Sequence, residues 1–362
     1  MSVLKFYPLA VKDITRETDE CVSVAFDVPA SLNELFQFIP GQYLTIKKQI
    51  GGEDVRRSYS ICAGLQDKEL RVAVKRMEKG KFSGYLHEQL KVGDVLDVMP
   101  PNGNFISKQS DKTKKHYLAI AAGSGITPVM SIMKSVLHSE PQSQFTLVYG
   151  NRDHNSIIFH EAIEALKNAY MTQLSVYHIL TREQQEVPLF NGRITAEKIH
   201  ALCHKLIDIH HMDEIFICGP EEMLLSVRAQ LLDMKVPSEK VHIELFTSPD
   251  QPHPKHDNWV KEHQAENNKT SKVSVTVDGM TTEIELSYNG DSILEAALKQ
   301  GADLPYACKG GVCSTCRAKV LEGEVVMETN YALEKEEVEK GYILTCQSHP
   351  VSERVVVDFD AR

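Results

Sequence analysis

Short stretches in which apolar and polar residues alternate dominate the first hundred residues of the chain: ECVSVAFDV, QYLTIKK, ELRVAVKRM and VLDVMP. A period of two puts the apolar side chains on one face of a strand, so each stretch predicts a half-buried strand. Gly and Pro separate the stretches. The pattern therefore predicts an antiparallel β-barrel over residues 1–110.

The pattern changes between residues 111 and 249, where continuous apolar runs alternate with helical stretches. The runs HYLAIAA, FTLVYG, LSVYHIL, EIFICG and VHIELF have the length of buried strands, and TPVMSIMKSVL, FHEAIEALKNA and EMLLSVRAQLLDM have helical periodicity. Strands that alternate with helices are typical of βαβ units. We expect an α/β domain built on a parallel sheet.

A segment rich in Pro, Asn, His and charged residues follows at residues 250–271 and is predicted to be a linker. Its histidines, His253, His256 and His263, could ligate a metal, although solvated linker side chains are the simpler interpretation. Residues 272–362 then form a compact end module with two strands, the helix DSILEAALKQG, a cysteine loop and closing strands.

Length and composition agree with a multidomain protein. The 362 residues exceed one ordinary core, and 42% hydrophobic with 25% charged residues is typical of a soluble globular protein. The first residues, MSVLKFYPLAVKDITRE, have no basic segment followed by an apolar one, and no run approaches the roughly 18 apolar residues of a membrane span. We expect a cytoplasmic protein without a membrane span.

The net charge of −10 argues against a nucleic-acid partner, because phosphate contacts need a concentrated basic surface. Residues 272–362 hold 16 Asp and Glu against 9 Lys and Arg, so most of the negative charge lies in the end module. An acidic face there would suit a partner protein with a basic docking patch. Ordinary solvated surface is the alternative.

Four of the eight cysteines cluster in the end module with the spacing C-x4-C-x2-C and a fourth cysteine after 29 intervening residues: Cys308, Cys313, Cys316 and Cys346. Clustered cysteines in a chain without a secretion signal indicate a metal site. The spacing is that of plant-type [2Fe-2S] ligands. A zinc site is the alternative, but zinc favours paired C-x2-C or Cys/His groups, and only one such pair is present.

The residues around these cysteines fit a loop that encloses a cluster. Gly310 and Gly311 are expected to adopt positive φ and to bring N–H groups toward the sulfurs, and Ala307, Ser314 and Thr315 are small enough to leave room. With GADLPYAC before the loop, the whole end module resembles the plant-type ferredoxins. The resemblance implies an α+β, ferredoxin-like β-grasp domain that carries one electron at a low potential, near ~−400 mV.

A glycine-rich turn follows the first strand of the α/β domain, where HYLAIAA runs into AGSGITPVM. Gly123 and Gly125 would permit a tight turn and the close approach of a pyrophosphate to the next helix, whose first turn holds Thr127 and Pro128. A bare glycine turn between strand and helix explains the pattern about as well.

The turn GxGxxP after an antiparallel barrel, together with the motifs RSYS, GKFS, CGPEEM and HIELF in this order, resembles the ferredoxin-NADP reductase superfamily. The resemblance covers almost the whole chain. It implies three cofactors or cosubstrates: FAD, a nicotinamide dinucleotide and the [2Fe-2S] cluster.

The first two motifs are implied to hold the flavin. In RSYS, which includes Ser58, Arg57 would meet the flavin phosphate, Tyr59 would lie along the isoalloxazine ring and Ser60 would approach its N5 edge. In GKFS, the backbone around Gly80, Phe82 and Ser83 would hold the FAD pyrophosphate, which favours FAD over FMN. The alternative for RSYS is an ordinary strand that binds no ligand, and the alternative for GKFS is a simple turn at Gly80.

The last two motifs are implied to meet the nicotinamide. Cys218 would lie beside it, with Gly219 and Pro220 at the strand end, although a buried structural cysteine is the alternative. Glu244 and Phe246 match an E-x-F pattern whose aromatic residue covers the flavin and yields to the nicotinamide. The resemblance makes Ser60, Cys218 and Glu244 the candidate catalytic residues.

Basic residues at two strand ends indicate which nucleotide binds. Arg152 follows one strand, and Thr181 and Arg182 follow the next. Two arginines and a hydroxyl suit a 2′-phosphate, so we expect NADPH rather than NADH; Asp153, beside Arg152, keeps NADH open.

Taken together, the resemblance implies a reductase in which NADPH gives a hydride to FAD and electrons then pass singly to the cluster and to a partner protein. The order of FAD, nucleotide and ferredoxin domains resembles oxygenase reductases, those of steroid hydroxylases among them, so an oxygenase component is the expected acceptor. A desaturase or a hybrid-cluster protein is an alternative acceptor. An electron-carrier or redox-sensing module without reductase turnover is the alternative of a different class.

Overall fold

The computed structural model describes residues 5–107, 114–246 and 269–361. Residues 7–55 and 59–246 belong to one compact unit, and residues 269–361 belong to another. His253, His256 and His263 of the predicted linker lie outside the described residues.

The N-terminal part of the chain is an antiparallel sheet of six strands with one helix: β1 (Tyr7–Thr18), β2 (Cys21–Asp27), β3 (Tyr43–Ile50), β4 (Glu53–Ser60), β5 (Leu70–Lys75), β6 (Val95–Val98) and α1 (Lys81–Glu88). The strand order is β4-β3-β6-β1-β2-β5, and an antiparallel bridge between Ile61 and Val72 joins the two edges. Alternate side chains such as Leu9, Leu44 and Leu96 fill the interior. The predicted antiparallel architecture is confirmed.

The next part is a five-stranded parallel sheet with helices: β7 (His116–Ala122), α2 (Ile126–Ser139), β8 (Gln144–Asn151), α3 (His160–Ala169), β9 (Leu174–Leu180), α4 (Ala196–Lys205), β10 (Glu214–Gly219), α5 (Glu221–Asp233) and β11 (Val241–Leu245). The strand order is β11-β10-β7-β8-β9. The chain therefore adds strands first on one side of β7 and then on the other, and this reversal leaves a crevice at the carboxyl ends of β7 and β10.

The C-terminal unit is a mixed sheet with two short helices: β12 (Thr270–Val277), β13 (Met280–Ser287), α6 (Ile293–Lys299), β14 (Arg317–Glu322), β15 (Val325–Met327), α7 (Lys335–Glu339), β16 (Tyr342–Leu344), β17 (Ser348–Pro350) and β18 (Arg354–Asp358). Its main order is β13-β12-β18-β14-β16, with β12 and β18 parallel. The Ser292 hydroxyl caps α6, and Gly301 follows that helix with φ of +85°. Strand β12 begins two residues inside the predicted linker.

No helix among the described residues has the length and apolar character needed to cross a bilayer.

A half-buried histidine, His178, whose two ring nitrogens are buried, predicts that the fold loses stability in mild acid. Neither ring nitrogen of His178 has a hydrogen-bond partner among the described residues, and burial lowers the pKa of His178 to about 4. Between pH 6.5, the ordinary pKa of the unfolded chain, and pH 4, only the unfolded chain binds this proton. The free energy of unfolding should therefore fall by about 3 kcal/mol over this interval.

Urea denaturation at pH 7 and pH 4.5 measures the loss. We expect His178→Gln to reduce the difference between the two pH values, whereas His204→Gln, on the exposed face of α4, should leave it unchanged. The same pH difference in both variants would contradict the assignment to His178.

Candidate functional site

A cleft of about 780 Å³ opens at the carboxyl ends of β7 and β10, where the strand order reverses. The turn after β7, from Ala122 to Ser124, and the turn Gly219–Pro220 after β10 both line it. Parallel α/β sheets bind their ligands at this position.

Basic side chains predominate among the charged residues that line the cleft. They come from strand β5, the ends of β8 and β9, and the loop before α4; they are Lys75, Arg152, Arg182 and Arg193. Glu222 is the one acidic residue among the described lining residues. The excess of positive charge suits a ligand that carries several phosphate charges.

The structure brings most of the predicted nucleotide-binding residues to this cleft. Those that line it are Gly123, Arg152, Thr181, Arg182, Gly219, Pro220 and Phe246. Four others do not line it and lie at the start of α2 or the end of β10: Gly125, Thr127, Pro128 and Cys218. Lys75 and Arg193 were not predicted, because neither belongs to a motif with a recognisable spacing.

The two glycines of the first turn have different roles. Gly123 has φ of +55° and open space around its Cα, so the chain turns there beside the cleft. Gly125 has an ordinary φ, but a Cβ at this residue would lie 2.1 Å from the carbonyl oxygen of Cys218. The absence of a side chain at Gly125 therefore allows α2 to pack closely against β10.

This difference predicts unequal effects of two alanine substitutions. Gly125→Ala should lower the free energy of unfolding by about 3 kcal/mol or more, because backbone atoms must move apart. Gly123→Ala should lower it by only about 1 kcal/mol, the strain of a positive φ. Urea denaturation of both variants tests the ranking, and equal losses would contradict it.

The three candidate catalytic residues lie together. The Ser60 hydroxyl at the end of β4 donates a hydrogen bond to Glu244 Oε2 at 3.3 Å. Cys218 on β10 is directly opposite Glu244 on β11. Burial, and then the negative charge of Glu244, raise the pKa of Cys218 well above its usual value, so this thiol is neutral at physiological pH.

Strand β4 carries the predicted flavin-binding residues Arg57, Ser58, Tyr59 and Ser60 in succession. The Tyr59 ring is half-buried and lies 5.9 Å from the ring of Phe82. Phe82 itself is buried in the barrel core. The Phe82 side chain is therefore not available to a cofactor, whereas Tyr59 remains partly exposed.

The GKFS segment forms the N-terminus of α1. Gly80 is the N-cap, and no side chain caps the first turn. A Cβ at Gly80 would lie 2.5 Å from the Ser83 hydroxyl, which accepts a hydrogen bond from the Met77 N–H at 3.1 Å. Backbone N–H groups at such a helix end are suitable donors for a pyrophosphate, so this segment and the Arg57 guanidinium fit FAD.

The four clustered cysteines are buried within the C-terminal unit and form two pairs. The sulfurs of Cys308 and Cys313 are 3.1 Å apart, and the hydrogen bond between them lowers the pKa of Cys313 and raises that of Cys308. Contact with Cys316 is the main cause that raises the pKa of Cys346. A two-iron cluster takes two thiolates at each iron, so the arrangement in pairs fits it.

No group of three or more His, Cys, Asp or Glu side chains in residues 5–107, 114–246 and 269–361 is placed around a single ion.

The loop between these cysteines differs in one detail from expectation. Gly311 has φ of +73°, but the second residue with positive φ is Lys309 (+51°), not Gly310. The N–H groups of Gly310 and Cys313 nevertheless point to Cys308 Sγ, each at 3.4 Å. The backbone thus supplies N–H donors to the Cys308 sulfur, from a turn placed one residue earlier.

Three family descriptions match successive parts of the chain. Residues 8–106 match the oxidoreductase FAD-binding domain, residues 119–229 match the oxidoreductase NAD-binding domain, and residues 275–351 match the 2Fe-2S iron-sulfur cluster binding domain. The expected order of three cofactor-binding domains is confirmed.

Relatives are similar over nearly the full length. One subunit of the 1,2-phenylacetyl-CoA epoxidase of Escherichia coli (strain K12) is 44% identical over 99% of this chain and 98% of its own. The 3-ketosteroid-9-alpha-monooxygenase, ferredoxin reductase component, of Rhodococcus rhodochrous is 34% identical over 97% of this chain and 96% of its own.

Solved structures show the same fold at lower identity. An intact type IV self-sufficient cytochrome P450 monooxygenase matches 97% of this chain and 41% of its own with a TM-score of 0.69 and 22% identity. Phthalate dioxygenase reductase matches 98% of both chains with a TM-score of 0.55 and 22% identity.

Proposed function

This chain belongs to the iron-sulfur flavoprotein reductases that act as electron-transfer components of oxygenases, and we propose that it passes electrons from NADPH, through FAD and a [2Fe-2S] cluster, to the oxygenase component of a phenylacetyl-CoA epoxidase. The choice of acceptor rests on the 44% identity to one subunit of the Escherichia coli enzyme. FAD, when bound, converts a two-electron donor into a source of single electrons, and the cluster carries one electron at a time.

The observation that carries the reductase proposal is the hydrogen bond between Ser60 and Glu244. It joins the end of the predicted flavin-binding strand to the sheet whose carboxyl edge forms the cationic cleft. A flavin held by β4 and a nicotinamide held in the cleft would meet at this hydrogen bond. In this proposal Phe246, which is 39% exposed and lines the cleft, covers the flavin until a nicotinamide enters.

The remaining residues hold the cofactors in this proposal. Arg57 and the first turn of α1 bind the flavin phosphates, and Tyr59 stacks on its ring. The four clustered cysteines bind the irons. The proposed domains are residues 1–110 for FAD, 111–249 for the nucleotide and 272–362 for the cluster, joined by a linker at 250–271, in a cytoplasmic protein.

We propose NADPH as the donor because of the basic groups at the ends of β8 and β9. Arg152, Thr181 and Arg182 line the cleft together, and Arg193 adds a third guanidinium. Guanidinium groups bind phosphate through two parallel hydrogen bonds. A neutral 2′-hydroxyl, as in NADH, offers these guanidinium groups no negative charge.

An anaerobic titration of the purified protein with NADPH, and separately with NADH, tests the donor and the internal pathway. We expect NADPH to bleach the flavin and iron-sulfur absorbance together, at a lower concentration than NADH. Absent flavin absorbance, or a cluster that neither nucleotide reduces, would overturn the reductase proposal and favour an electron carrier or redox sensor.

The acceptor is tested by coupling. We expect NADPH consumption to depend on an added epoxidase oxygenase component and its acyl-CoA substrate. The oxygenase component of a 3-ketosteroid monooxygenase is the control, because a reductase component of that enzyme is 34% identical to this chain. Faster turnover with the steroid enzyme would move the assignment to that class of oxygenase.

A further inference from the structure

One of the basic residues of the cleft is already paired with a carboxylate. The Arg152 guanidinium donates a hydrogen bond from Nη2 to Glu20 Oε2 at 2.5 Å, and the Lys75 ammonium is 3.6 Å from the same oxygen. Arg152 and Lys75 both line the cleft, whereas Glu20 does not. The Glu20 carboxylate thus contacts two of the four basic residues of the cleft without itself lining the cleft.

Glu20 is held in place by the barrel. It ends the tight turn between β1 and β2, where its N–H donates to the Thr18 hydroxyl at 3.2 Å and its carbonyl accepts from the Arg76 N–H at 2.7 Å. Burial opposes ionisation of Glu20, but the hydrogen bond from Arg152 and the charge of Lys75 prevail and lower its pKa. The turn therefore presents a fixed negative charge to the nucleotide domain.

Arg152 retains the capacity to bind a second anion. Its Nε is buried and has no hydrogen-bond partner among the described residues, and its contact with Glu20 uses a single nitrogen. The pair is 40% and 44% exposed, and exposed ion pairs of this kind are weak. A phosphate dianion that accepts two parallel hydrogen bonds is the stronger partner for a guanidinium.

The other two arginines are not engaged in this way. The side chains of Arg182 and Arg193 make no hydrogen bond or ion pair with any described residue. These two arginines can bind a phosphate without breaking an existing ion pair. Glu20 therefore competes with a phosphate only for Arg152 and Lys75.

We propose that Glu20 is a specificity-determining residue that occupies Arg152 and Lys75 in the empty cleft and is displaced from Arg152 by the 2′-phosphate of the nucleotide. This inference rests on the proposed use of NADPH. Because Glu20 competes with the phosphate, it lowers the affinity for NADP(H) and favours release of the oxidised product. NAD(H), which has no 2′-phosphate, does not compete for the same guanidinium.

The test measures the dissociation constants of NADP+ and NAD+ for the FAD- and cluster-loaded protein. Glu20→Gln should bind NADP+ about three- to fivefold more tightly, while NAD+ changes by less than about twofold. A variant that merely loosens the fold would weaken binding, so tightening separates a specificity role from a structural one. Asp19→Asn is the matched control, because Asp19 is exposed on the same turn and its one ion pair within the described part of the chain is with Arg16, at 3.7 Å.

A double substitution isolates the pair. In an Arg152→Met background, Glu20→Gln should no longer tighten NADP+ binding, because the residue over which the two anions compete is gone. Unchanged or weaker NADP+ binding in Glu20→Gln, an equal gain for NAD+, or an equal gain in Asp19→Asn would each overturn the inference.

These outcomes are distinct from failure of the NADPH assignment. A wild-type protein that prefers NAD+ would overturn that assignment. If the Glu20→Gln variant, and not the Asp19→Asn variant, then shifted its preference toward NADP+, the proposed competition between Glu20 and the 2′-phosphate would still hold. Glu20 would in that case be the cause of the NAD+ preference.

Discussion

Replacing Cys346 by alanine is expected to abolish the [2Fe-2S] cluster and to lower electron transfer to a protein acceptor at least about a hundredfold. Cys346 reaches the cysteine loop from the distant segment between β16 and β17, so its loss leaves one iron with a single thiolate. The loop has no spare cysteine to replace it. Cys308 and Cys313 form one pair, and Cys316 is the partner of Cys346 in the other.

The internal control is reduction of the flavin itself. The cysteine cluster and the Ser60–Glu244 pair lie in different compact units, so NADPH should still reduce ferricyanide, a small oxidant that can reach the flavin directly. Iron content and the electron paramagnetic resonance signal of the reduced protein measure the cluster. Cys203→Ala, on α4, is the matched cysteine variant and should retain both. A Cys346→Ala protein with full iron content would contradict the ligand assignment.

The parallel sheet was predictable almost residue for residue. Three predicted runs coincide with His116–Ala122, Leu174–Leu180 and Glu214–Gly219, because strands of a parallel sheet are long apolar runs with polar residues at their ends. Strands β1 and β4 were missed, since YPLAVKDITRET and EDVRRSYS carry many polar or charged residues and alternate imperfectly. The helices α1 and α4 are as amphipathic as α2 but contain far fewer apolar residues, so no apolar stretch marks them in the sequence.

The candidate site was predictable where its residues follow strands. Arg152, Thr181 and Arg182 come directly after apolar runs, and the carboxyl ends of parallel strands meet at one edge. Lys75 and Glu20 belong to the barrel, and their closeness to Arg152 depends on how the barrel packs against the parallel sheet. No spacing along the chain contains that information. Likewise, the role of Gly125 in packing depends on the neighbouring backbone of Cys218, 93 residues away in the sequence.

Replacing Glu244 by glutamine is expected to slow reduction of the flavin by NADPH about 10- to 100-fold. Donation of a hydride turns a neutral dihydronicotinamide into a cation, and a fixed carboxylate beside the ring stabilises the positive charge as it develops. Glu244 also accepts the hydrogen bond that orients the Ser60 hydroxyl. Glutamine keeps the size of the side chain and an acceptor oxygen but removes the charge.

Stopped-flow absorbance of the flavin measures this step separately from binding. Because the carboxylate acts mainly on the developing charge, the limiting rate should fall, whereas the dissociation constant of NADPH, whose dihydronicotinamide ring is neutral, should change by less than about threefold. Ser60→Ala should show a smaller loss, since it removes the orienting hydroxyl and leaves the charge. Glu239→Gln, an exposed carboxylate just before β11, is the matched control and should reduce its flavin at the wild-type rate.

The neutral state of Cys218 sharpens this test. Its thiol stays protonated because burial and the charge of Glu244 raise its pKa, so removal of that charge brings the pKa of the thiol down toward, but not to, its ordinary value. The limiting rate in Glu244→Gln should therefore remain low at every pH between 6 and 8. A rate that recovered as the pH rose would show that a titrating group, and not the fixed charge of Glu244, controls hydride transfer.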